Sequence, residues 1–116
     1  MNAKIMIIDA HPVYAPKMAG FLESLTLKNI VVVSCGLKAM EAVLEHKPDV
    51  IVLSATLPDA DSAALAGQIK AASPSTAIIV QTGLLTTAQA MEAFKSAGVD
   101  HVLPRREKDW SAFQGA

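Results

Sequence analysis

Five short apolar runs alternate along the chain with stretches in which apolar residues recur at helical spacing. Most of these runs are continuously apolar and rich in Ile and Val, which is typical of strands covered on both faces of a parallel sheet. The predicted strands are Lys4–Asp9, Ile30–Ser34, Asp49–Ser54, Thr76–Thr82 and Asp100–Leu103. The pattern therefore predicts right-handed crossovers and a doubly wound α/β fold with a five-stranded parallel sheet.

The residues between the strands carry helix start and stop signals. Pro12 suits the first position of one helix, and Pro48 follows the end of the next. Leu37, Met40 and Leu44 are spaced as the inward stripe of that second helix. The first two predicted strands are therefore each followed by a predicted helix.

Later helices show the same kinds of signal. Asp61 can cap a third helix, Thr86 or Thr87 a fourth, and Gly98 suits the end of that fourth helix. A short fifth helix is expected from near Glu107. The apolar residues expected to face inward in these helices are Leu65, Ile69, Met91, Phe94, Trp110 and Phe113.

Composition indicates a single domain over residues 1–116, with 52% hydrophobic and 18% charged residues. A net charge of -1 predicts no nucleic-acid binding and no membrane binding by this domain. One cysteine, Cys35, fits a reducing compartment. The apolar run Ile5–Ile8 is too short for a signal peptide or a membrane span. We expect a soluble, cytoplasmic protein.

Two polar residues follow the first and third predicted strands. If the strand order is 2-1-3-4-5, the switch point of the sheet lies between these two strands, and ligands of such sheets bind outside the carboxyl ends there. Asp9 and Ser54 stand at those two ends. This edge of the sheet is therefore the candidate functional site.

Four segments match a known family over nearly the whole chain: Ile7–Pro12, Pro48–Asp61, Ile78–Gly83 and Ala97–Asp100. In these segments the chain resembles the receiver (CheY-like) domains of two-component response regulators. The resemblance implies a flavodoxin-like receiver fold with strand order 2-1-3-4-5. It also implies a signalling module of a phosphorelay rather than an enzyme.

The resemblance also assigns the pocket in which receiver domains take up a phosphoryl group. Asp9 matches the first metal-binding acid, whereas Ala10 replaces the second. Ser54 stands where the family has its phosphoacceptor aspartate, and Thr82 matches the residue that contacts the phosphoryl group. Without a gap Arg105 takes the place of the lysine, and a slip of one residue would put Arg106 there. We expect a degenerate pocket, a pseudo-receiver, without metal or cofactor.

A degenerate receiver implies partners rather than chemistry. An unassisted serine hydroxyl is a weak nucleophile, and Mg²⁺ is typically held by carboxylates and phosphate oxygens. The expected partners are signalling proteins, either a histidine kinase or an output domain, or a second copy of the domain. The segment is expected to be the amino-terminal part of a longer regulator.

Two other functions remain open from the residues. His11 could act as a base for Ser54 with Asp9 as its orienting group, giving a small hydrolase, although no G-x-S-x-G segment surrounds Ser54. Asp9–His11 and Ser54-Ala55 are also similar to parts of cobalamin-binding modules. Three positions depart from that similarity. Tyr14 stands in place of a required glycine, Thr82 in place of the first glycine of a Gly-Gly pair, and Thr56 in place of a leucine.

Overall fold

The computed structural model describes residues 4–10, 14–24, 29–55, 57, 59–82 and 88–104. Its strands are β1 (Lys4–Ile8), β2 (Asn29–Val33), β3 (Val50–Ser54), β4 (Ala77–Thr82) and β5 (His101–Pro104). The α-helices within these ranges are α1 (Tyr14–Ser24), α2 (Ala39–His46), α3 (Ser62–Ala72) and α4 (Ala88–Ser96). A short 3-10 helix, Gly36–Lys38, leads into α2.

The strands form one parallel sheet in the order β2-β1-β3-β4-β5. Alternate side chains point to opposite faces, so each apolar strand contributes to two cores. One face carries Ile5, Ile7 and Val52 against Met18 and Leu22 of α1. The other face packs against α2, α3 and α4, and its members include Met6, Ile8, Ile51, Leu53, Ile78, Val80, Val43, Ile69 and Phe94. The predicted fold class and strand order are confirmed.

Several predicted helix ends are also confirmed. The Asp61 carboxylate accepts hydrogen bonds from the amides of Ala63 at 3.0 Å and Ala64 at 3.2 Å, so it caps α3. Gly98 has a φ of +91°, the left-handed conformation that favours glycine just beyond a helix. Lys47 takes the left-handed C-cap of α2 directly before Pro48. Local residue chemistry thus sets these boundaries.

The inward face predicted for the second helix is wrong at Leu37 and Leu44, whereas Met40 packs partly buried against the core. Leu37 is 80% exposed and Leu44 is 60% exposed, whereas Ala39 and Val43 are buried against the sheet. Leu37 lies in the 3-10 helix, where the residue spacing differs from that of an α-helix, so the stripe counted from it is out of phase. Small residues bring α2 close to the sheet instead. The larger leucines are left outside.

The remaining helix predictions had three different outcomes. Leu65, Ile69 and Phe94 are buried, as predicted. Met91 is only partly buried. The predicted caps Thr86 and Thr87 and the start signal Pro12 lie outside the described residues, as does the fifth helix from Glu107 with Trp110 and Phe113.

Polar side chains join the strands at the amino end of the sheet. The Thr76 hydroxyl donates to the carbonyl of Pro48 at 3.0 Å. Since a hydroxyl has a single hydrogen, Ser73 Oγ, at 2.6 Å, must be the donor to Thr76 Oγ1. Lys70 Nζ donates to the carbonyl of Thr76 at 2.6 Å and lies 2.9 Å from the Asp100 carboxylate. This group connects the starts of β3, β4 and β5.

Asp100 completes that connection. Its carboxylate accepts from the amide of Ile78 at 2.8 Å, and its own amide donates to the carbonyl of Ile78 at 3.0 Å. Burial raises the pKa of Asp100, but hydrogen bonds from Lys70 and Ile78 and the charge of Lys70 outweigh it and hold the pKa below its usual value. None of the helices in the described ranges is long and apolar enough to cross a membrane.

Candidate functional site at the carboxyl end of the sheet

The sheet brings three of the predicted site residues to its carboxyl end. Ile8 of β1 pairs with Leu53 of β3, so Asp9 and Ser54 follow at the ends of adjacent strands. Ser54 is the last residue of β3, and Thr82 is the last residue of β4, the next strand along. The structure thus places Asp9, Ser54 and Thr82 at one edge of the sheet, while their roles stay a prediction.

Two of the polar residues at this edge are buried. Asp9 is 3% exposed and Ser54 is 1% exposed. The Asp9 amide donates to the carbonyl of Val33 at 3.0 Å, which continues the β1–β2 ladder one residue past the strand. Parallel pairing therefore fixes the backbone positions of Asp9 and Ser54 at this edge.

Gln81 is a buried polar residue of this edge that the sequence analysis did not single out. It is 1% exposed, pairs with Ser54 in the β3–β4 register, and its carbonyl accepts from the amide of Ala55 at 2.9 Å. The signal in the sequence is a polar side chain that directly follows the apolar run Ile78–Val80. Gln81 is thus the side chain of β4 that stands level with Ser54.

A carboxylate in the β3–α3 loop holds the start of α2. Asp59 accepts from the amides of Gly36 at 2.9 Å and Leu37 at 3.1 Å. These two hydrogen bonds lower the pKa of Asp59. A Cβ at Gly36 would collide with the Cβ of Ala60, so only glycine allows this close approach of the two loops. The sequence predicted a turn residue at Asp59 but not this contact.

The remaining predicted positions are only partly described. Ala10 follows Asp9 and is half-buried. Arg105 and Arg106 lie outside the described residues, so the choice between them stays a prediction. His11, which the hydrolase alternative requires, and Thr56 of the cobalamin alternative lie outside them too. Both alternatives therefore stay untested at their deciding residues.

A divalent cation fits this donor set poorly. Mg²⁺ prefers several oxygen ligands, usually carboxylates, in a nearly octahedral arrangement. Here Asp9 supplies one carboxylate, Ala10 has no donor atom in its side chain, and Ser54 supplies a neutral hydroxyl. In the part of the chain that the structure describes, no group of three or more His, Cys, Asp or Glu side chains is arranged to hold a metal ion.

The geometry of the sheet and of this edge agrees with a match at the level of the sequence family. The family model of the response regulator receiver domain matches residues 5–109. The chain belongs to the response regulator receiver family. Receiver domains are signalling modules that interact with histidine kinases and output domains and can dimerise. A search of curated proteins found no match.

Solved receiver structures are similar to this one. DrrB of Thermotoga maritima is 25% identical with a TM-score of 0.78, and the alignment covers 90% of this chain. It covers 85% of the isolated, BeF3-activated DrrB receiver domain but only 46% of the longer DrrB chain. This receiver thus spans about half of that regulator.

Two further structures show the same fold at lower identity. The receiver domain of a DNA-binding response regulator from Colwellia psychrerythraea 34H is 21% identical, with a TM-score of 0.87 and coverage of 98% of this chain and 94% of that one. A CheY-like receiver protein from Methanospirillum hungatei JF-1 is 14% identical, with a TM-score of 0.89 and coverage of 99% and 90%. At these identities the likeness supports the fold alone.

Proposed function

We propose that this receiver domain has lost phosphoryl transfer and acts in two-component signalling through phosphorylation-independent protein–protein interaction. The observation that carries the proposal is Ser54 at the last position of β3. A receiver switch depends on an acyl phosphate, which only a carboxylate can form. A serine phosphate is an ester and lacks that lability.

The surroundings of Ser54 support the same conclusion. A serine nucleophile needs an adjacent base to take its proton. The neighbouring strand end offers Asp9, which is buried, and next to it Ala10, which has no functional group. With Arg105 in the lysine position, the pocket would hold one carboxylate and one guanidinium and be neutral without a cation. Such a pocket would offer a phosphodonor neither a carboxylate that accepts the phosphoryl group nor a bound metal ion.

The partners that we propose follow from membership of the receiver family and not from the residues of the pocket. We expect a histidine kinase, an output domain or a second copy of the chain, in the cytoplasm. We also propose that an output domain follows this segment in a longer regulator. The domain itself is expected to have no catalytic activity and no cofactor.

The test is the intact mass of the protein after incubation with a small-molecule phosphodonor and Mg²⁺. The native chain should keep its mass. The matched positive control is the triple variant Ser54→Asp, Ala10→Asp, Arg105→Lys, which restores the acceptor, the second acid and the compact ammonium. That variant should gain a phosphoryl group that is lost on mild hydrolysis. A stoichiometric adduct on Ser54 of the native chain would contradict the proposal.

A further inference from the structure

The outer edge of β2 and the neighbouring side of α2 form one exposed surface, called here the β2–α2 surface. Its members are the outer backbone edge of β2 around Val32, whose exposed side chain points to the α1 face, and the exposed side chains of Lys38, Glu41 and Glu45 beside it. They border a groove of about 450 Å³ between the strand and the helix. Lys38, Glu41 and Glu45 all line this groove, so they form one stripe along this side of α2.

The strand side of this surface lacks the usual protection of a sheet edge. Among the described residues, β2 pairs with β1 alone, so its other edge offers unpaired amide and carbonyl groups. Natural edge strands are usually blunted by lysine, proline, a bulge or an inward charge. Ile30–Val33 contains only β-branched apolar residues, and Val32 is 44% exposed. This edge can therefore accept another strand.

The helix side carries charges that its own helix does not favour. Lys38 lies at the amino end of α2, where the helix dipole favours anions, and Glu45 lies in the last turn, where it favours cations. The two are seven residues apart, which is about 10 Å along a helix. An antiparallel copy of the same helix would place opposite charges beside both of them and would oppose the two dipoles.

We propose that the β2–α2 surface binds a second copy of this chain about a two-fold axis near Val32. The two β2 strands would pair antiparallel, extending the sheets of both copies. The two α2 helices would then lie antiparallel on the same face, because α2 runs opposite to β2. Lys38 would meet Glu45 of the partner subunit, and the symmetry repeats the contact. This inference builds on the proposed function, since it names the surface for one partner.

The proposed dimer contains one unfavourable contact, which lies close to its two-fold axis. Glu41 lies close to the middle of the stripe, midway between Lys38 and Glu45. It would therefore approach Glu41 of the partner subunit across the axis. Like charges at such a position weaken association. Removing the charge should strengthen the dimer, which no general loss of solubility or folding would do.

The test is analytical ultracentrifugation of the native chain over a wide range of concentration. We expect a reversible monomer–dimer equilibrium. Val32→Lys should abolish it, because a lysine on the edge blocks strand addition. Lys38→Glu and Glu45→Lys should each weaken the dimer by about tenfold, since each reversal spoils two symmetric ion pairs. Glu41→Gln should strengthen it severalfold.

The charge variants also test each other. An equimolar mixture of Lys38→Glu and Glu45→Lys restores opposite charges at both contacts of a heterodimer, so dimers should return. The double variant should dimerise like the native chain. Both single changes favour the helix dipole, so thermal unfolding should show folded monomers.

Two results would overturn the inference: a native chain that stays monomeric throughout, or dimers that Val32→Lys leaves intact. Neither depends on phosphorylation. A phosphoryl adduct on Ser54 would instead contradict the proposed function without affecting the dimer test.

Discussion

The two ends of the sheet are held in different ways. At the amino end, the side chains of Lys70, Thr76 and Asp100 bond to main-chain groups at the starts of neighbouring strands. At the carboxyl end, Asp9 and Ser54 are buried at strand termini instead. Polar groups at the amino end tie strands together, whereas those at the carboxyl end surround the candidate site.

This contrast shows which polar residues serve the fold. A buried hydroxyl that bridges two main-chain segments costs stability when removed, because its partners lose their hydrogen bonds inside the protein. The carboxyl end is positioned by backbone pairing through the bonds of Asp9 to Val33 and of Ala55 to Gln81. Pairing of the strands is thus separate from the identity of the side chain at Ser54. That separation explains how a receiver fold can persist with an altered pocket.

The largest expected effect is that of a second carboxylate at the carboxyl end. Ser54→Asp should be less stable than Ser54→Asn by about 3 kcal/mol at neutral pH, because it buries a charge beside Asp9. Burial and the like charge raise the pKa of the introduced acid, so the difference should vanish below the ordinary aspartate pKa. Urea unfolding at several pH values measures it.

Adding Mg²⁺ sharpens that comparison. While Ala10 remains, Mg²⁺ should restore little of the stability of Ser54→Asp, since a ligand is still missing. Equal stability of the aspartate and asparagine variants at neutral pH would mean that the pocket already accommodates a second carboxylate. The proposed loss of phosphoryl transfer would then depend on Ser54 alone.

The next effect compares the same substitution at the two ends of β4. Thr76→Val should lower the free energy of unfolding by about 2 kcal/mol, because the buried Pro48 carbonyl and Ser73 hydroxyl lose a partner. Thr82→Val, at the half-buried carboxyl end, should change it by less than about 0.5 kcal/mol. Urea unfolding of both variants checks the contrast, and equal losses would remove the distinction between the two ends.

A smaller effect is expected at Asp100. Its pKa is lower in the folded protein than the usual 3.8, so it stabilises the fold above that pH, and this contribution is lost as the pH falls through the folded value. Asp100→Asn should cost about 1 kcal/mol at neutral pH, because solvent screens a carboxylate that is 40% exposed.

The control for Asp100 is its partner. In a double-mutant cycle with Lys70→Met, the two losses should not add, since both remove the same ion pair. The difference between native and Asp100→Asn should also disappear in acid. A constant difference across the whole pH range would show that the carboxylate charge contributes nothing.

The sequence predicted the sheet and the place of the site better than the contacts around them. Continuous apolar runs gave all five strands to within about one residue, as element ends usually allow. Strand ends then located Asp9 and Ser54, and the resemblance to receiver domains added Thr82. The α2 stripe failed because a 3-10 turn changed the phase after Cys35. Asp59 escaped prediction because its contact joins loops that are 22 or more residues apart.

The smallest effect tests that loop contact. Asp59→Ala should speed amide hydrogen exchange at Gly36 and Leu37, because both N–H groups lose their acceptor to solvent. Since hydrogen bonds lower the pKa of Asp59, the native contact holds at neutral pH and weakens as the pH falls through that lowered value. Exchange followed by NMR should therefore differ most between variant and native protein near neutrality.

Asp61→Ala is the matched control, because it removes a carboxylate two residues away that caps α3 instead. It should speed exchange at Ala63 and Ala64 and cost about 1 kcal/mol of stability, while Gly36 and Leu37 keep their protection. If Asp59→Ala left Gly36 and Leu37 protected, the close approach of Gly36 to Ala60 would suffice to hold the loops. The carboxyl end would then be fixed by packing, and its contrast with the hydrogen-bonded amino end would be sharper still.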